Sequence, residues 1–305
     1  AFVVAVTFQE ANRLMRLPPA PLEAVSGNVL PAYQLAGFRS LDDRTPLSGW
    51  YFPAKGSRRA VVILVHDQGR NRLQFGYDTA YLFQDLVDAG FSVLAFDLRH
   101  SGDSGGPFST FGYGEWRDVL AAMAQAVRLS GTDSILLYGF GSGGSACAAA
   151  YDALPPPGAR RGDYPAEIAA LPFNRSIVRG MILDSPGLTA DDAIRAAARQ
   201  KPLTAAFPFP DTLPLAIRLS AQAGGVIRTA AILSRMDRPL HLAYHEVDRY
   251  LAQGLHERLA AERSRLQPGQ TTIFAAEGEG YCEGFMTDRD GYLAALHAYL
   301  DRYFP

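Results

Sequence analysis

The stretch Ala60-Val61-Val62-Ile63-Leu64-Val65 constrains the fold more than any other part of the chain, because every residue in it is apolar and nothing alternates. A strand with one wet face alternates polar and apolar side chains, and a strand buried on both faces does not. Further apolar runs at 91–96, 134–139, 181–183, 240–244 and 271–274 predict more strands of the same sheet. Helices are expected between them at about 75–88, 113–129 and 142–151, with a closing helix at about 291–303; Gly90 ends the first. Residues 47–52, stopped by Pro53, predict a strand paired antiparallel at an edge. Buried strands alternating with helices define an α/β chain with a mostly parallel, doubly wound sheet, its hand set by right-handed crossovers.

The rhythm breaks twice. Residues 155–174, opening on Pro155-Pro156-Pro157-Gly158, read as a surface excursion. Residues 189–237 read as a helical insertion that folds over the carboxyl ends of the strands as a cap. With 305 residues, 48% hydrophobic and 20% charged, the chain holds enough apolar material for one large core, so 21–305 is expected to be one domain that includes the cap. A formal charge of −2 gives no reason to expect nucleic acid as a partner. Cys147 and Cys282 are far apart and in no CxxC spacing, so neither a disulfide framework nor a zinc site is expected. The sequence holds no metal-ligand cluster, no phosphate-binding glycine loop and no basic recognition helix, so neither a metal nor a cofactor is expected. Residues 1–20 carry two readings. The apolar run from Ala1 to Phe8 is the remnant of an anchor or signal segment, attaching the chain to a membrane through whatever precedes Ala1, or it is a helix or strand packed on the domain. The compartment stays open between the two.

In an open parallel sheet, ligands bind beyond the carboxyl ends of the strands. The segments at those ends are His66-Asp67-Gln68-Gly69-Arg70-Asn71-Arg72, Asp97-Leu98-Arg99-His100-Ser101-Gly102-Asp103-Ser104-Gly105 and Gly139-Phe140-Gly141-Ser142-Gly143-Gly144. After them come Asp184-Ser185-Pro186, His245-Glu246-Val247-Asp248 and Gly278-Glu279-Gly280-Tyr281-Cys282. From about Leu47 to the C-terminus this ordered series resembles the α/β-hydrolase superfamily, and more closely its bacterial serine aminopeptidase-like and esterase-like branch. There the first loop reads HGxGxxR, the second DxRGxGxSxG, and the third, GxSxGG, is the nucleophile elbow.

The resemblance implies a Ser-His-Asp site, and this chain departs from it at two members. Gly141 falls in the nucleophile position, where no acyl-enzyme can form without a side chain. Ser142 is one residue into the helix, and centring it would put bulky Phe140 where a small residue is wanted. Ser145 lies a turn further on and is expected to face the core or a neighbouring strand. The position of the histidine, counted back from Tyr292, holds Tyr281, and a phenol is a poor base near neutral pH. His241, His256 and His297 read as packing or surface residues, whereas His245 can approach the site from the wrong loop. Asp248 matches the acid. Asp67 replaces a glycine of the family and brings negative charge to where an oxyanion would develop. His66 is read as a structural residue, Asp97 and Arg99 as ion-pairing loop supports and His100 as a loop residue. Ser185 shapes the wall beside the elbow, and Cys282, flanked by Glu279 and Glu283, is expected to be unreactive. With Gln68, the residues His66, Asp67, Ser142, Ser185 and Cys282 form the expected ligand site. These substitutions point to a non-hydrolytic pseudoenzyme that binds a small molecule or a protein partner. The alternatives are a serine hydrolase of esters or amides using Ser142, with His245 and Asp248, and an enzyme that uses the same cleft without a covalent intermediate.

Overall fold

The computed structural model describes residues 2–25, 29–56 and 58–305. The helix α1 (Phe2–Met15) precedes the strands β1 (Gln34–Arg39) and β2 (Pro46–Phe52). Then follow β3 (Ala60–Val65), α2 (Thr79–Asp88), β4 (Phe91–Phe96), α3 (Trp116–Ser130), β5 (Ile135–Phe140) and α4 (Ser142–Ala153). A short α5 (Ala166–Ala169) leads to β6 (Val178–Asp184), and the cap follows as α6 (Ala190–Arg199), α7 (Pro202–Ala205), α8 (Phe209–Ser220) and α9 (Thr229–Arg235). The chain ends with β7 (Leu240–Asp248), α10 (Leu255–Leu266), β8 (Thr271–Gly280), α11 (Gly284–Thr287) and α12 (Arg289–Tyr303).

One eight-stranded sheet runs in the order β1-β2-β4-β3-β5-β6-β7-β8. It is antiparallel across β1, β2 and β4 and parallel from there on. Every residue of β3, β4 and β5 is buried, which is why their sequences show no alternation. Helices α3, α4, α9 and α10 cover one face and α2 and α12 the other, each with its own contiguous core. Removing a buried branched side chain from the centre, as in Ile63→Ala, would cost about 2–5 kcal/mol. A third, smaller cluster joins Ala11 and Leu14 of α1 to Ile194 of α6 and to Leu213 and Ile217 of α8, and Phe111 and Tyr113 reach into it from the body.

The differences from the expected elements have physical causes. β1 pairs along its whole length with β2, but as an edge strand it is mostly exposed, so its polar Gln34 and Arg39 hide it from an apolar-run reading. β7 and β8 extend past their apolar cores to Asp248 and Gly280 because their mutual pairing continues there. This puts His245 inside a strand and not in the loop beyond it. Residues 155–174 are less superficial than expected: Ile168, Leu171 and Phe173 are buried in the sheet's core. α1 lays Thr7, Ala11, Leu14 and Met15 inward and bonds α8 through the Thr7 and Thr212 hydroxyls, 3.0 Å apart. Among the described residues no helix is long and apolar enough to cross a membrane.

Candidate functional site

At the carboxyl end of β5 the chain reverses sharply into α4, and Gly141 is the turn residue, at φ 50° and ψ −117°. That backbone region strains any residue with a β-carbon, and glycine adopts it freely. The neighbours fix the register. A β-carbon at Gly139 would lie 2.7 Å from the backbone of Gly144, and one at Gly143 would strike the carbonyls of Val65 and His66. The residue projecting from the turn is therefore position 141, with Phe140 wholly buried behind it.

A side chain at 141 would find its place taken. A β-carbon built there collides with the Tyr281 hydroxyl and the Asp67 carboxylate, both closer than real non-bonded atoms approach. Asp67 Oδ1 accepts the Ser142 backbone N–H and the Ser142 hydroxyl, each at 2.8 Å. The Gln68 backbone N–H donates in turn to Ser142 Oγ at 2.9 Å, and Gln74 Oε1 accepts the Asp67 N–H at 2.9 Å. Burial raises the Asp67 pKa, while the hydrogen bonds from Ser142 and Gln68 work against it. The Tyr281 phenol is pushed well up, first by burial and then by the Asp67 charge. Tyr281 thus faces Asp67 across the space above Gly141.

Among the described residues no histidine bonds Ser142, whose hydroxyl partners are Asp67 and Gln68. His245 turns toward Gly280 and bonds Thr287 Oγ1 at 3.2 Å, so it does not join Ser142 and Asp248 in one constellation. His66 bridges the Asp67 carbonyl, at 2.8 Å, and the Leu98 N–H, at 2.9 Å, while burial holds its pKa down. His241 pairs with Thr272, and burial takes its pKa to about 4. His297 bonds Asp85 on the far side of the sheet's helices.

His256 is a packing residue, but one beside the site: it is the second residue of α10, buried against Tyr244, with Nδ1 3.9 Å from Asp248 Oδ2. Its signal was its place soon after Asp248, which became meaningful only once Gly254 started the helix there. Asp248 itself binds the next turn of chain, with Oδ1 accepting Tyr250 N–H at 2.8 Å and Leu251 N–H at 2.6 Å; Arg249 pairs with Glu283 and Glu279. Ser145 faces the core, as expected, and bonds Thr229 of the cap helix α9 at 3.0 Å.

Below the seat lies a buried polar cluster. Asp184 accepts from Ser185 Oγ at 3.0 Å and from the Tyr292 hydroxyl at 3.1 Å, and Tyr292 also bonds Tyr138. Burial lifts the Asp184 pKa to about 7. The Cys282 N–H donates to Ser185 Oγ at 3.0 Å, and burial, then Asp184 and Asp67, push its thiol well up. Glu279 and Glu283 are not the main cause, since both turn to Arg249. Asp97 pairs with Arg72, and Arg99 with Asp118 and Asp42, while His100 Nδ1 meets the Gly106 carbonyl at 3.2 Å; all three support loops.

Asp67, Gln68, Tyr250 and Tyr281 stand where two chambers meet. One, of about 470 Å³, is walled by Phe75, Met286 and Thr287, with Arg70 at its edge. The other, of about 310 Å³, runs beneath the cap between Leu17, Phe111, Ala193, Ala196 and Ala197. Among the described residues no group of histidine, cysteine and carboxylate side chains could hold a metal ion.

A doubly wound sheet with a sharp strand–turn–helix at its carboxyl edge and a helical cap above it defines the α/β-hydrolase class. Residues 62–297 match the model of the alpha/beta hydrolase family, and the chain belongs to that family. No curated protein matches it. Among solved structures, the esterase Pf2001 of Pyrococcus furiosus is similar at a TM-score of 0.70 and 16% identity, over 96% of this chain and 99% of that one. Est1E of Butyrivibrio proteoclasticus, solved with ferulic acid, is similar at 0.59 and 15%, over 89% and 97%. An acylaminoacyl peptidase of Pyrococcus horikoshii is similar at 0.56 and 14%, over 91% of this chain and 42% of that one. At such identities the likeness is one of fold.

Proposed function

We propose that this chain is a non-hydrolytic member of its family that binds a small molecule in the cleft between body and cap. The observation that carries this reading is the position of Asp67. In a working elbow, the N–H that follows the nucleophile stabilises the oxyanion of the tetrahedral intermediate. Here the Ser142 N–H already donates to the Asp67 carboxylate, and the Gln68 N–H to Ser142 Oγ. The developing oxyanion would have to displace a carboxylate and then sit beside its charge. Gly141 offers no nucleophile, and Tyr281 stands where the resemblance places the base.

A second reading has its own support. The Ser142 hydroxyl donates to Asp67, so a carboxylate is in place to take its proton, and membership of a family rich in hydrolases favours turnover. Ser142 would then be a displaced nucleophile activated by an acid residue in place of the expected His245 and Asp248.

A fluorophosphonate probe and short-chain p-nitrophenyl esters, applied to wild type and Ser142→Ala, separate the two readings. The non-hydrolytic reading expects neither labelling nor turnover above the Ser142→Ala background. Labelling that Ser142→Ala abolishes would establish the displaced nucleophile and overturn the proposal.

A further inference from the structure

The polarity of the seat is the reverse of what an ester or amide carbonyl requires. A carbonyl oxygen, and still more an oxyanion, asks for donors, yet the two backbone donors at this turn are already engaged. What faces the junction of the chambers is an acceptor, Asp67, which is half-buried and lines both of them. Around it stand aromatic surfaces: Tyr250 and Tyr281 meet edge to face at 5.3 Å, and Phe75 walls the wider chamber. The narrower chamber presents alanines on α6 opposite Leu17 and Phe111, a surface that suits a hydrocarbon group.

The charge within the cleft is negative. Asp67 and Asp248 both act on Cys282, at the foot of the wider chamber. Asp248 is 7% exposed and, among the described residues, its Oδ2 has no hydrogen-bond partner. The histidines packed about this floor, His66, His245 and His256, are all shifted by burial toward the neutral form. Arg249 is engaged by Glu279 and Glu283, and Arg70 stands at the mouth in solvent, where its charge is screened.

We infer that the cleft binds a small primary amine, its ammonium group on the Asp67 carboxylate beside Tyr250 and Tyr281 and its apolar part in the alanine-lined chamber under the cap. An ammonium there gains a charge-assisted hydrogen bond and lies beside two phenol side chains. It also relieves a carboxylate that burial alone leaves poorly compensated. The inference rests on the ligand-binding reading above, and its test does not depend on whether esters are turned over.

Matched probes of equal length, n-hexylamine and n-hexanoate, titrated calorimetrically into the full chain at millimolar concentration, decide it. The amine is expected to bind at least about tenfold more tightly than the acid. Asp67→Asn keeps an oxygen for the Ser142 N–H and should erase that preference, with unchanged circular dichroism reporting an intact fold. Ala197→Phe, which fills the apolar chamber and leaves the carboxylate untouched, should weaken amine binding by a similar factor. Equal or better binding of hexanoate overturns the inference, as does binding of neither probe, or an amine preference that survives Asp67→Asn. Fluorophosphonate labelling lost in Ser142→Ala would remove the non-hydrolytic reading and leave the amine result to stand on its own.

Discussion

Position 141 carries no side chain, and its neighbours fill the space that one would take. Because glycine leaves the seat empty, the Tyr281 hydroxyl and the Asp67 carboxylate occupy it, and both would have to move for any larger residue. Gly141→Ser alone should therefore lower stability by about 1–3 kcal/mol, from strain at positive φ together with the collision. Adding Tyr281→Phe removes one of the colliding atoms, so the double variant should recover part of the loss. Thermal melts of the two single variants and the double variant measure the coupling. Strictly additive melting shifts would mean that Tyr281 does not fill the seat. None of the three variants is expected to turn over esters, since none supplies a base or frees the Ser142 N–H from Asp67.

Among the elements, the cap stands apart from the body. α1, α6 and α8 share a core of their own, whereas α9 belongs to the core of the sheet. The buried guanidinium of Arg263 on α10 reinforces that division, bonding the Leu233, Met236 and Arg238 carbonyls at the end of α9. A small separate core opens at lower free energy than a large one. Native-state hydrogen exchange should show amides of α6 and α8 exchanging through a partial opening, while those of β3, β4 and β5 exchange only on global unfolding. Identical opening free energies and denaturant slopes for both groups would mean that cap and body unfold as one. A cap that opens alone gives a ligand a route to the chamber beneath it.

For the whole molecule, the buried acid at the end of β6 links stability to pH. Asp184 has a pKa of about 7 in the fold against an ordinary 3.8, because burial disfavours its charge. Between those values the folded chain holds a proton that the unfolded chain has released. Stability from this group is thus fully present below about pH 4, falls as pH rises toward 7, and is flat above. At about 1.4 kcal/mol per pH unit the window is worth on the order of 4 kcal/mol. Asp184→Asn removes the titration, so its stability relative to wild type should rise between pH 5 and pH 8. Urea denaturation at the two pH values checks this, and a difference that ignores pH would mean that Asp184 stays ionised throughout.

Local sequence carried much of this. The unbroken apolar run of β3 is legible because a strand buried on both faces favours apolar side chains throughout, and Gly139 and Gly143 mark the turn because a β-carbon at either would strike the backbone. The order of the loops identified the family. What local pattern could not supply was the contact between distant residues. The meeting of Asp67 and Tyr281 over Gly141 joins positions 67, 141 and 281, and no periodicity encodes it. The burial of His256 beside Asp248 depends on where α10 begins, and the turning of His245 toward Gly280 on how far β7 and β8 stay paired. Side-chain types and backbone conformation are set within a few residues, whereas the sign of the charge that a cleft presents is a sum over groups that only the packed sheet brings together.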